Sequence, residues 1–296
     1  MRSFCVEMRI LLRCSVLFCI LFLGCSKIDP KIEVPAYIEI DDYAVITDTT
    51  TQGTSQQVFS NVLVLTPTQN LGYYPLPAKV PLAKNGDTRL MIRPAILVNG
   101  VTYLRVDYPV MTSYDTIFPL KQGEVLKVKP TFKYYTSTTF PVLEDFDKTN
   151  VTLINSDPND TVTAKTDHTQ SPHGKCLSLH LDGLHAASQV QSTTGFTVST
   201  SGSNTYVELM YKGNMDLEVG VIGSTSPGQI INPEKRSPGG VRATDAWKKL
   251  YINLSEIIRY PPVHPYYFLY FNIVQSSNTG QTNPQVYIDD IKVVRQ

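Results

Sequence analysis

Cys176 and His180 are the residues whose types could form a nucleophile and its general base. They lie in KCLSLHLDG, where Leu177, Leu179 and Leu181 alternate with other residues and predict the buried face of a strand. The thiol and the imidazole then share the opposite face, four residues apart. At about 3.3 Å per residue they are separated by roughly 13 Å, too far for the hydrogen bond that such a pair needs.

No other motif in the chain indicates catalysis. The sequence contains no G-x-S-x-G nucleophile elbow, no H-E-x-x-H zinc motif and no phosphate-binding glycine loop. Lys+Arg 26 balance Asp+Glu 26, so the formal net charge is zero and no strongly basic face for nucleic acid is expected. The sequence therefore predicts a binding protein that is not an enzyme and does not bind nucleic acid.

The N-terminus has the pattern of an export signal. Residues 14–24 form an apolar run that follows three arginines and is too short for a membrane span, which needs roughly 20 residues. The sequence LFLGC, ending at Cys25, resembles the lipobox of bacterial lipoproteins, in which the cysteine is lipidated. This resemblance implies a signal peptide over 1–24, a lipidated tether over 25–34 and attachment to the outer membrane. An ordinary secretion signal is the alternative, and translation could start at Met1 or Met8.

Hydrophobic alternation predicts strands almost throughout the rest of the chain. Residues 125–134, VLKVKPTFKY, place apolar and charged residues on opposite faces, as a half-buried strand does. Two further alternating runs flank Gly213-Asn214, which predicts a hairpin. A helical period is found only around Ser255 to Arg259. We therefore predict an all-β fold.

A domain boundary is predicted near residue 138. Residues 35–137 place prolines at strand edges and Asn-Gly at turns, which predicts a small N-terminal β-sandwich. This half also resembles the first domain of a group of Bacteroidota lipoproteins. Residues 138–296 begin with FPVLEDFD and end with VYIDDIKVV. This pairing resembles galactose-binding-like and carbohydrate-binding-module domains, which implies a C-terminal antiparallel β jelly-roll with its first and last strands side by side and AWKKLYINL as an inner strand.

Jelly-rolls of this type often hold a structural calcium ion between acidic residues of the first and last strands. The residues that match are Glu144 or Asp147 at the start and Asp289 or Asp290 at the end. Calcium takes several oxygen ligands, which facing strands could supply. The alternative is that these carboxylates solvate strand ends and cap a loop. Beyond this calcium, no cofactor is expected.

The resemblance also implies aromatic side chains that stack on sugar rings. YPPVHPYYFLYF supplies Tyr260, Tyr266 and Tyr267, and Trp247 is the single tryptophan. The alternative is that some of these rings fill the core. The sequence predicts an accessory or scaffold subunit that binds a protein partner in an outer-membrane or surface assembly. A glycan-binding surface lipoprotein is the alternative.

Overall fold

The computed structural model describes residues 34–160, 164–167, 169–171, 173–198, 204–275 and 282–296. The predicted signal peptide and Cys25 lie outside the described residues. In the described part of the chain, no helix is long and apolar enough to cross a membrane. Strands make up most of the ordered elements, so the predicted all-β fold class is confirmed.

The first half of the chain folds into three small sheets. Strands β1 to β10 cover Ala36–Ile40, Ala44–Ile46, Asn61–Leu65, Asn70–Pro75, Ala78–Leu82, Gly86–Leu97, Arg105–Asp107, Tyr114–Leu120, Val125–Lys127 and Thr131–Lys133, and helix α1 covers Thr49–Gln52. Sheet A has the order β5-β1-β9, sheet B pairs β10 with β2, and sheet C has the order β4-β3-β6-β7 with β8 also paired to β6. Their apolar faces enclose one core cluster that includes Ile38, Val64, Ile92 and Phe132.

The second half forms two antiparallel sheets packed face to face. Strands β11 to β22 cover Thr139–Glu144, Leu153–Asn155, Ala164–Asp167, Cys176–His180, Ala187–Ser192, Thr205–Gly213, Leu217–Ser224, Glu234–Arg236, Gly240–Val241, Thr244–Asn253, Tyr266–Val274 and Gln285–Arg295, and helix α2 covers Ser255–Arg259. Sheet D has the order β13-β14-β22-β16-β20, with β11 also on β22, and sheet E has the order β12-β15-β21-β17-β18, with β19 also on β17. The first and last strands of this half are neighbours, as the resemblance implies.

The predicted hairpin around Gly213-Asn214 is wrong. Strand β16 pairs with β20 and β22 in sheet D, whereas β17 pairs with β18, β19 and β21 in sheet E. Leu209 of β16 and Val219 of β17 belong to the same core cluster, so both strands bury their apolar faces between the two sheets. Alternation along a strand is identical in a hairpin and in such a crossover, so the local pattern does not distinguish them.

The two halves share part of one core. Tyr206, Tyr251 and Val294 come from sheet D but belong to the core cluster of the first half. Strand β20, predicted as an inner strand, lies at the edge of sheet D, where Val98 of the first half pairs with Tyr251. The backbone N–H of Asn253 donates to Asn99 Oδ1 at 2.8 Å. The first half therefore covers part of the outer face of sheet D.

A buried carboxylate lies at this junction. Glu208 is fully buried on β16, and its oxygens accept hydrogen bonds from Gln57 Nε2 at 2.5 Å, Tyr108 OH at 2.6 Å and Tyr134 OH at 2.7 Å. All three donors belong to the first half of the chain. A buried charge needs such partners, so these hydrogen bonds hold the first half of the chain in its position on sheet D.

Two lysines surround the same carboxylate. Lys249 Nζ lies 3.6 Å from Glu208 Oε2, and both side chains have 0% exposure. Lys292 Nζ donates to Thr54 O, also across the junction. Burial opposes ionisation of Glu208, but the two lysines and its hydrogen bonds hold its pKa below the ordinary value. Burial in turn lowers the pKa of Lys292 to about 8.

Candidate functional site

The four aromatic residues predicted to bind glycan do not come together. Tyr267 is a core residue, 1% exposed, whose hydroxyl donates to Ile258 O at 3.0 Å. Tyr260 is 71% exposed on the loop after α2. Tyr266 is half-buried at the start of β21 in sheet E, whereas Trp247 is half-buried on β20 in sheet D.

Alternation along β21 presents a different aromatic residue on the outer face of sheet E. Tyr267, Leu269 and Phe271 point into the core, so Tyr270 and Asn272 lie on the opposite face. Neighbouring strands add polar side chains at the same level. We name this surface the Tyr270 face and define it by Tyr270, Asn272, Glu218, Gln189, Gln191 and Lys235.

Hydrogen bonds connect the side chains of the Tyr270 face. Tyr270 OH donates to Glu218 Oε1 and Asn272 Nδ2 donates to Glu218 Oε2, both at 3.0 Å. Lys235 Nζ donates to Gln189 Oε1 at 2.5 Å. Burial and the nearby Glu218 raise the pKa of Tyr270 above its ordinary value, so the phenol stays a neutral donor.

Ser156 extends the same network along sheet E. Gln189 Nε2 donates to Ser156 Oγ at 2.7 Å, and Ser156 Oγ donates to Gln191 Oε1 at 3.1 Å. The register sets Gln189 opposite Asn272 and Gln191 opposite Tyr270. Amide and carboxylate groups are thereby spaced by the strands themselves, which holds them in fixed positions without a ligand.

The Tyr270 ring lies between a glycine and a lysine. A Cβ on Gly220 would come within 2.7 Å of the ring and 2.2 Å of Arg236 O, so the ring lies close against bare backbone. Lys235 Nζ lies over the ring, 5.7 Å from its centre. Tyr270 is therefore 1% exposed although it is on an outer face, and Lys235 is itself exposed.

A loop borders the Tyr270 face on one side. Ile230 packs against Ile222 and Phe268, the outward apolar residues next to Tyr270. The Ser224 hydroxyl holds this loop, because it donates to Gln229 O at 2.9 Å and accepts from Ile231 N at 3.0 Å. The face is therefore an amphipathic surface with a fixed edge.

The carboxylates predicted to hold calcium lie in two places. Glu144 Oε1 accepts from Phe146 N at 2.7 Å, and Oε2 accepts from the Thr152 hydroxyl at 2.8 Å. Asp290 shares with Glu144 the lining of a small cavity of about 20 Å³, and its Oδ2 is buried without a hydrogen-bond partner in the described part of the chain. Lys292 also lines this cavity, and its ammonium group supplies positive charge there.

The other two carboxylates have partners of their own. Asp147 Oδ1 accepts from Lys175 N, and Asp289 Oδ2 accepts from the Ser171 hydroxyl, both at 2.8 Å. Burial raises the pKa of Asp289 to about 7. Among the described residues, no three His, Cys, Asp or Glu side chains gather into a possible metal site. In this structure the four carboxylates are divided between two places, and calcium binding stays a prediction.

Cys176 and His180 lie on one face of β14, as the alternation predicts. Cys176 is fully buried, its thiol donates to Asp167 O at 3.5 Å, and burial raises the pKa of the thiol to about 12. A thiol with so high a pKa is not a nucleophile at neutral pH. Cys176 therefore lacks the accessible, low-pKa thiol of a catalytic cysteine.

The sequence alone does not identify the residues of the Tyr270 face. The only signal was the alternation in YYFLYFNIV, which divides its aromatic residues into two faces. That pattern does not say which face the second sheet covers. The polar partners come from three other strands, at positions far away in sequence.

Comparisons with known proteins found distant structural similarity only. No protein-family model and no curated protein matches the sequence. Among solved structures, a family 29 carbohydrate-binding module complexed with mannohexaose covers 54% of this chain and 93% of its own, at 9% identity and a TM-score of 0.36. A family 11 carbohydrate-binding module from Clostridium thermocellum, in complex with a β-1,3-1,4-mixed-linked tetrasaccharide, matches over 53% of this chain and 94% of the module, at 11% identity and a TM-score of 0.37.

A third similar structure is a larger enzyme. It contains the CBM22-1 and GH10 modules of an endo-1,4-β-D-xylanase from Clostridium thermocellum, complexed with xylohexaose. It covers 53% of this chain and 28% of its own, at 13% identity and a TM-score of 0.39. Similarity at this level does not assign a ligand to the chain described here.

Proposed function

We propose that this chain is an exported, lipid-anchored protein that binds a glycan on the Tyr270 face and has no catalytic activity. One observation carries the proposal: an aromatic ring and five amide, carboxylate or ammonium side chains converge on one outer face of sheet E and are already held in place by one another. This is the alternative to the scaffold function that the sequence predicts.

The chemistry of the Tyr270 face matches that of a sugar. A sugar ring offers C–H groups on its faces and hydroxyl groups at its edge. Tyr270 is 1% exposed, so the proposal requires Lys235 to move aside before the ring offers an apolar surface to the C–H groups. Gln191, Asn272 and Glu218 supply donors and acceptors for the hydroxyls. Few rotamers change on binding, so little conformational entropy is lost.

The predicted lipid on Cys25 would attach the glycan-binding protein to the outer membrane. A chain attached at its N-terminus to the outer membrane would present the jelly-roll at the end of a tether and a rigid first half. The junction around Glu208 supports this arrangement, because its buried bonds prevent the two halves from moving independently. A glycan at the cell surface or in the periplasm is then the partner.

The test is direct binding by the mature chain. Calorimetry with mannohexaose, xylohexaose and a β-1,3-1,4-linked tetrasaccharide is expected to show binding of at least one of them. Tyr270→Ala should weaken that binding at least about tenfold, the effect of losing roughly 1.4 kcal/mol of contact free energy. The matched control is Tyr260→Ala, because Tyr260 is a far more exposed tyrosine outside the Tyr270 face.

A second variant covers the case in which Tyr270→Ala fails to fold. Gln191→Ala removes a half-buried side chain without touching the core and should weaken the same binding. Binding that survives both variants, or binding that Tyr260→Ala removes instead, would overturn the assignment to the Tyr270 face. Absence of binding to any member of a broad glycan array would overturn the function.

A further inference from the structure

The jelly-roll has a second groove, on the outer face of the opposite sheet. A groove of about 340 Å³ lies over sheet D beside strands β13, β14 and β22. We name it the Tyr287 groove and define it by Tyr287, Ser178, Lys165, Asp167, His180 and Gln285, which line it. Its volume is in the range of pockets that hold small ligands, roughly 300–1,000 Å³.

Strand register builds the floor of the Tyr287 groove. Lys165 lies opposite Ser178, and Ser178 lies opposite Tyr287, so one row of side chains crosses three neighbouring strands. His180 and Gln285 form the adjacent row. Because all these residues lie on regular strands, their positions are set by the sheet and not by a loop.

The row continues past Tyr287 to a closed end. Lys212 lies opposite Tyr287 on β16, with its Nζ 5.7 Å from the centre of the ring. Lys212 Nζ donates to Gln170 Oε1 at 3.1 Å, and Trp247 Nε1 donates to Gln170 O at 2.9 Å. Gln170 therefore separates the Tyr287 groove from Trp247, which lines a different pocket against the first half.

The polar groups in the Tyr287 groove are mostly neutral or balanced. Tyr287 OH donates to Gln285 Oε1 at 2.9 Å, which leaves the Gln285 amide N–H groups free of the tyrosine. Lys165 and Asp167 carry opposite charges on the same strand. Burial lowers the pKa of His180, so the imidazole is neutral at pH 7 and can both donate and accept. Such a lining suits hydroxyl groups better than it suits an ion.

We propose that the Tyr287 groove is a second glycan site, which takes a neutral oligosaccharide. The proposal rests on the glycan-binding function and adds a site to it. The Tyr270 face and the Tyr287 groove lie on opposite sheets, about one sandwich thickness apart, so one molecule can hold two glycan chains at once. For a protein on a membrane tether, two sites raise the overall avidity for a surface that carries many glycans.

Calorimetry on the mature chain separates the two sites. With the oligosaccharide that binds best of the three named above, the unaltered protein should bind two molecules per chain. The double variant H180A/Q285A should retain one, since both side chains are half-buried and their loss leaves the core intact. Tyr287→Ala should have the same effect, and Tyr270→Ala should remove the other molecule. The matched control is His185→Ala, a histidine in the next loop outside the groove.

Each outcome decides between the two sites. Two molecules still bound by H180A/Q285A, or one site that depends on Tyr270 alone, would overturn the second site and leave the proposed function intact. One site that depends on His180 and Gln285 but not on Tyr270 would support the Tyr287 groove and overturn the Tyr270 face. Absence of all binding would overturn both.

Discussion

Glu208→Ala removes the carboxylate that joins the two halves of the chain. The variant leaves the hydroxyls of Tyr108 and Tyr134 and the amide of Gln57 without their acceptor, and it leaves Lys249 buried without a counter-charge. Hydrogen bonds to a charged group contribute about 1.5–3 kcal/mol each. Removal of one partner of a buried ion pair costs about 3–5 kcal/mol. Because these contributions overlap, we expect a loss of about 3–5 kcal/mol in the free energy of unfolding.

That loss is a large part of the stability of an ordinary domain, about 5–15 kcal/mol. Urea unfolding of the mature chain measures it. Fluorescence of Trp247, the single tryptophan, reports on the second half near the junction, and circular dichroism reports on both halves. The matched control is Glu256→Ala, since the Glu256 side chain is 82% exposed and pairs with Arg259 at 3.4 Å. An exposed pair of this kind contributes about 1 kcal/mol or less.

Two results would refute this reasoning. The first is a Glu208→Ala variant that loses no more stability than Glu256→Ala. The second concerns a triple variant in which Glu208→Leu is combined with Lys249→Met and Lys292→Met. Replacing a whole buried ionic group by apolar residues is often neutral, so this variant should recover the part of the loss that comes from the uncompensated lysine charges, while the Tyr108, Tyr134 and Gln57 donors still lack their acceptor. If it is as unstable as Glu208→Ala, the stranded lysine charges are not the cause.

Two further predictions concern Lys292 and calcium. Burial lowers the pKa of Lys292 to about 8 in the folded chain, so between pH 8 and pH 10 the unfolded chain binds more protons and the free energy of unfolding should rise with pH. Lys292→Met should flatten this rise, as measured by urea unfolding at several pH values. An unchanged slope would contradict the assignment to Lys292. If the predicted calcium ion binds, the thermal unfolding midpoint should be higher in millimolar calcium than in EDTA. Equal midpoints would contradict the prediction and would fit the present contacts, in which Glu144 and Asp289 already accept hydrogen bonds and Lys292 lines the cavity beside Asp290. A midpoint that rises with calcium concentration would show a site that these side chains form only when the ion binds.

The sequence by itself determined the strands and their faces. Alternation identified Leu177, Leu179 and Leu181 as buried, and all three lie in the core of the second half. The same rule placed Cys176 and His180 together on the other face and excluded them as a catalytic pair. The resemblance also implied that the first and last strands of the second half are neighbours, and β11 and β22 are paired. These features depend on the alternation of apolar residues along each strand and on short local motifs.

Only the tertiary structure decided which strand lies beside which and what covers each outer face. The runs around Gly213-Asn214 belong to different sheets, and Tyr270, not Tyr267, reaches the outer face of sheet E. Glu208 looks in sequence like an outward residue of a half-exposed strand, yet the first half of the chain buries it completely. A period of two shows which residues share a face, but the contacts on that face come from segments far away in sequence. The physical role of a side chain therefore depends on packing that local pattern does not encode.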